Sequence, residues 1–92
     1  MAYTVNIEEF PIVVRDFASY KSVIQGCSDK TVSEYLSDLR TFFRWLIAKE
    51  QGIGMESDDF EKIDITHVDL DYIKGITTDR IYEFLVYTVR YL

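Results

Sequence analysis

Six side chains between Lys30 and Arg44 form the set in this sequence whose types and spacing best suit contact with a phosphate polymer. They are Lys30, Ser33, Ser37, Arg40, Thr41 and Arg44. Placed on a helix at about 100° per residue they crowd into one sector together with Glu34, while Val32, Tyr35, Leu36, Leu39, Phe42, Phe43 and Leu46 fill the other side. Short hydroxyl side chains between cations let a helix lie close to a phosphate backbone, and arginine reaches phosphates or base edges. The same pattern also describes the solvated face of an ordinary core helix. Periodicity alone leaves both readings open.

Other reactive side chains offer less. His67 is the sole histidine and has no cysteine near it, so a metal set or an acid–base pair lacks partners. Cys27, the single cysteine, cannot form an internal disulfide and is expected to pack. Glu56, Asp58, Asp59 and Glu61 lack the ordered alternation and terminal Glu of a calcium-binding loop, and read as a solvated acidic turn. There is no glycine-rich phosphate loop, and no spacing pairs two carboxylates across an obvious pocket. The expectation is a non-enzymatic chain with no cofactor, no metal and no small-molecule substrate.

The elements that must position the Lys30–Arg44 face follow from composition and pattern. Residues 1–92 are expected to form one domain, and an apolar content of 48% with 15% aromatics supplies its core. No apolar run reaches the length of a membrane span and the N-terminus lacks a signal pattern, so the expected location is cytoplasmic. The net charge of −6 argues against a generic nucleic-acid binder. Most of the acidic excess falls in residues 51–92, so any basic surface must be local and lie in the first half.

The spacing predicts an all-α fold of four helices: two long, one short and one medium. Ile7, Phe10, Val13, Val14, Phe17 and Ile24 make an apolar stripe over Ile7–Gln25, with a regular helix starting between Glu8 and Pro11 and ending at Gly26. Ser28 is the expected N-cap of the second helix, which runs to Lys49. Gln51–Asp64 reads as an exposed loop. Thr66 and Asp69 suggest a capping box opening a short helix from His67 to Lys74, closed by Gly75. Thr77 or Thr78 caps a last helix to Tyr91, with Ile81, Phe84, Leu85, Thr88 and Leu92 on one face. Tyr82, Tyr87 and Tyr91 flank that stripe, as the rim of the core or as contacts to a partner protein.

The run Ser28-x-x-Thr31-Val32-x-x-Tyr35-x-x-Asp38-Leu39-Arg40-x-Phe42-x-x-Trp45-Leu46 resembles the N-terminal core-binding domain of the tyrosine recombinase, or phage integrase, family. Phe10–Tyr20 (FPIVVRDFASY) is placed like that domain's first helix, and Asp69–Leu85 (DLDYIKGITTDRIYEFL) is similar to its later helical segment, with Arg80 intervening between Asp79 and Ile81. The resemblance covers nearly the whole chain in the right order. It implies a small SAM-like helical bundle that clamps one face of duplex DNA, with the Ser28–Lys49 helix against the DNA. Matched by motif, the implied DNA-binding residues are Lys30, Thr31, Ser33, Ser37, Arg40, Thr41 and Arg44. The resemblance leaves structural roles open for Thr31, near the helix start, and for Arg40, paired with a carboxylate of the acidic half. In the family the nucleophilic tyrosine lies in a separate catalytic domain, so none of the seven tyrosines here inherits that role. The chain thus reads as a fragment of a longer recombinase, of a kind that works as a tetramer on two duplexes. The alternative is an acidic helical protein-interaction module whose contacts are Tyr82, Tyr87 and Tyr91.

Overall fold

The computed structural model describes residues 3–91. They are helical throughout their regular structure: α1 (Ile12–Ser19), α2 (Asp29–Gln51), α3 (Leu70–Lys74) and α4 (Thr78–Tyr91), with single 3-10 turns at Ile7–Glu9 and Phe60–Lys62. This is the expected four-helix, all-α architecture, although the first helix is shorter than its apolar stripe suggests. Leu92, expected on the α4 stripe, lies outside the described residues.

Pro11 divides the first segment. Its ring forces the preceding residue out of the helical region, and Phe10 is accordingly extended at φ −103° and ψ 149°. Glu8 and Glu9 therefore sit in their own turn, capped by Asn6, and α1 begins only at Ile12. After Ser19 the helix widens into a π turn over Tyr20–Ile24, closed by Gln25 N–H donating to the Tyr20 carbonyl at 3.2 Å. The extra residue per turn rotates later side chains off the α-helical stripe. Ile24, expected in the core, consequently stands exposed, while Phe10, Val14 and Ala18 are buried.

α2 is the axis of the fold. Ser28 caps it as expected, its Oγ accepting from Thr31 N–H at 3.2 Å. The helix runs two residues past the expected end, to Gln51; Gly52 then takes the left-handed conformation at φ 70°, and Ile53 N–H donates back to the Ala48 carbonyl at 3.0 Å. The first half of the helix buries one side, Val32, Ser33 and Leu36. Further along, from Phe43 to Ala48, burial spreads round most of the helix and takes in Phe43, Trp45, Leu46, Ile47 and Ala48. α1 with its π turn, the Phe60–Lys62 turn and α4 supply the cover.

The segment expected as an exposed loop contributes more than that. Ile53, Met55 and Phe60 pack against the core and Ile63 joins it outright, as do Ile65 and Val68 just beyond the segment. The expected capping box is corrected too. Thr66 donates both its N–H and its hydroxyl to Asp64 Oδ1, at 2.9 and 2.7 Å, so a local turn takes up the group that would have capped a helix. Asp69 is the actual cap, accepting from Tyr72 N–H at 2.8 Å, and α3 begins three residues later than expected. For α4, Thr77 is the cap, its Oγ1 accepting from Arg80 N–H at 3.2 Å.

α4 meets the core through Phe84 and Tyr87. Phe84 packs on Phe42 and Trp45, with ring centroids 4.8 and 5.4 Å apart, and Tyr87 lies 6.3 Å from Trp45. Such aromatic pairs each contribute roughly 0.5–1.5 kcal/mol beyond their buried area. Ile81 and Leu85, expected on the core stripe, are exposed instead. The inward face of α4 is rotated by about one residue from the expected one.

Candidate nucleic-acid interface

The residues of the α2 polar face do not share one environment. Lys30 is exposed in the first turn. Thr31 is half-buried and tied into the cap, its hydroxyl accepting from Ser28 Oγ at 3.0 Å. Ser33 requires a correction. It was expected to face outward, but it is 3% exposed, and its Oγ accepts from Thr4 N–H at 3.0 Å. The N-terminal segment lies across that edge of α2, pinned further by the hydrogen bond between the Tyr3 hydroxyl and Ser22 Oγ at 2.8 Å. No buried side-chain N or O lacks a partner among the described residues, so Ser33 is a satisfied structural group.

Further along α2, Ser37 and Thr41 are half-buried, and the Thr41 hydroxyl donates back to the Ser37 carbonyl at 3.1 Å. Arg40 pairs with Glu9 (Nη1 to Oε2, 3.3 Å), and its guanidinium lies 5.8 Å from the centre of the Phe10 ring. The expected carboxylate partner is therefore real, but it comes from the N-terminal segment and not from the acidic half. Arg44 donates through Nε to the Ile63 carbonyl at 3.2 Å. Burial lowers its proton affinity from the ordinary arginine value, and Arg40 one turn away adds to that, while Glu9 and Glu61 act in the opposite direction.

What survives as a surface is a strip along α2 from Lys30 to Arg44. Lys30 stands at its start, Ser37 and Thr41 lie along it, and Arg40 and Arg44 are part-exposed at its edge. Glu34 and Asp38 are exposed on the same helix and thin the positive field. Glu9 is the member of this constellation that sequence reasoning missed. Nothing in the spacing signals that a residue 31 positions away reaches Arg40.

The other candidate groups are dispersed. Cys27 is half-buried against the core. His67 and the Glu56–Glu61 carboxylates are exposed, and among the described residues no three His, Cys, Asp or Glu side chains are placed to hold a metal ion. Nor is any described helix long and apolar enough to cross a membrane. A concavity of about 1160 Å³ lies between the end of α2 and α4, walled by Trp45, Lys49, Met55, Tyr82, Val86 and Tyr87. Tyr82 and Tyr91 are exposed there, whereas Tyr87 is half-buried against Trp45.

No family model matches the sequence, and no solved structure matches it. The chain is similar to the tyrosine recombinase XerC of Caldanaerobacter subterraneus subsp. tengcongensis, with 33% identity over 77 residues. The match covers 84% of this chain and 22% of the recombinase, so the chain spans about a fifth of the length of that curated relative. This similarity over 77 residues supports a relationship with the tyrosine recombinases.

Proposed function

We propose that residues 1–92 are a core-binding, SAM-like domain of a tyrosine recombinase of the phage-integrase kind, which holds one face of duplex DNA for strand cleavage and exchange by a separate catalytic domain. The observation that carries this reading is the similarity to a tyrosine recombinase over 84% of the chain. On this reading the domain is non-catalytic. It belongs to a longer cytoplasmic protein that acts as a tetramer on two duplexes.

Lys30, Arg40 and Arg44 are the proposed phosphate contacts. Thr31, Ser37 and Thr41 are short enough to let the backbone approach between them. Ser33 belongs behind this surface, holding the N-terminal segment in place. The groove beside Trp45 and the exposed Tyr82 and Tyr91 favour the second reading, a protein-interaction module, and compete with DNA for the same experiment.

Three cationic contacts predict a slope of about −2.7 in a plot of log affinity against log salt, or roughly a 40-fold loss between 50 and 200 mM. Fluorescence anisotropy with a labelled duplex measures it. Lys30→Ala should lower the slope by close to one unit without shifting the thermal midpoint. A binding constant insensitive to salt, or a slope unchanged in Lys30→Ala, would remove α2 from the interface.

A further inference from the structure

Arg40 presents its guanidinium at the edge of the proposed DNA surface, yet one of its N–H donors is already engaged by a carboxylate of the chain itself. Glu9 Oε2 lies 3.3 Å from Arg40 Nη1. The position of Glu9 is built into the fold. Pro11 keeps α1 from extending backwards, and Phe10 is fully buried. Arg15 then clamps the turn from the other side, donating through Nε to the Phe10 carbonyl and through Nη2 to the Glu8 carbonyl, both at 2.9 Å. The backbone of Glu9 is thereby fixed beside α2 while its carboxylate remains 52% exposed. Arg40 is held in turn by the Phe10 ring beneath it.

A carboxylate and a backbone phosphate ask for the same donors from a guanidinium. We propose that Glu9 is an intramolecular competitor for the DNA phosphate at Arg40, its side chain swinging into solvent when the phosphate arrives. This rests on the DNA-binding reading above and adds a restraint on it. The exchange needs only a side-chain rotation, because the backbone clamp made by Arg15 and Phe10 does not involve the carboxylate. It would keep the domain's affinity low, since a duplex must displace Glu9 before its phosphate reaches Arg40.

The test is anisotropy at low salt with a labelled random-sequence duplex, using the wild-type chain, Glu9→Gln, Glu8→Gln, and each again in an Arg40→Gln background. Glu8→Gln removes the same charge one residue away from a carboxylate that makes no ion pair among the described residues. Glu9→Gln should tighten binding about two- to five-fold, the range an exposed ion pair spans, and by more than Glu8→Gln does. In the Arg40→Gln background the two should become equal. Equal gains in the wild-type background, or a Glu9→Gln advantage that survives Arg40→Gln, would overturn the competitor role while leaving DNA binding intact. No binding by any variant would instead overturn the DNA reading itself.

Discussion

α2 and α4 invert the relation between composition and burial. Ten of the 23 residues of α2 are apolar or aromatic, against eight of the 14 in α4. Yet α2 buries eight residues and α4 none. The difference lies in the neighbours. α2 is wrapped by the N-terminal segment, α1, the Phe60–Lys62 turn and α4, whereas α4 leans on α2 along a single edge made by Phe84 and Tyr87. Its other apolar side, with Ile81, Leu85, Val86 and Val89, faces outward. Amphipathicity says that a helix has a face to bury, but topology decides whether anything arrives to cover it.

That contrast orders the effects of mutation. Trp45→Ala should be the most damaging change, because Trp45 is 2% exposed and touches both Phe84 and Tyr87. A loss of about 3–5 kcal/mol is expected, a large part of the stability of a small domain. Urea unfolding followed by circular dichroism measures it. Phe84→Ala, half-buried at the one contact edge of α4, should cost about 2 kcal/mol and release α4 preferentially. Hydrogen exchange should then speed up in α4 and not in α2, and uniform acceleration would erase the contrast drawn here. Val89→Lys, on a side chain 86% exposed, should stay within about 0.5 kcal/mol. A cost well above that would mean the outer side of α4 is covered in solution.

A pH-dependent effect concerns the link between α3 and the end of α2. The Tyr72 hydroxyl donates to Glu50 Oε1 at 3.1 Å, and burial together with that carboxylate pushes its pKa up to about 12. A tyrosine raised in the folded state contributes stability that is complete below the ordinary value of about 10. That contribution is lost as pH rises from there through about 12. Thermal midpoints measured across this window should fall more steeply for the wild type than for Tyr72→Phe. Parallel profiles would show that the Glu50 contact adds nothing.

Much of the fold was legible because its signals are local. Ser28 and Gly26 mark helix ends by their own chemistry, the one as a cap and the other at positive φ, and the period of α2 needs no tertiary information. The misreadings came where a second local device competed. Asp64 captured Thr66 before it could cap, Pro11 divided one stripe into a turn and a helix, and the π turn carried Ile24 out of register. The candidate interface was less legible for a different reason. A wheel shows which side chains share a face but not which segment crosses it, so the burial of Ser33 under Thr4 and the pairing of Arg40 with Glu9 depend on long-range packing that spacing does not encode. Ile63 and Ile65 were readable in principle, since their alternation marks two inward positions inside an otherwise acidic stretch.

The central claim is that the Lys30–Arg44 strip of α2, and not the open side of α4, meets DNA. An NMR titration of the isotopically labelled chain with duplex DNA at low salt tests it residue by residue. The account predicts amide shifts concentrated at Lys30, Thr31, Ser37, Arg40, Thr41 and Arg44, with Glu9 moving in step with Arg40 and the Tyr82–Tyr91 surface silent. Shifts confined to Tyr82, Val86 and Tyr91, or no shifts at all, would contradict it.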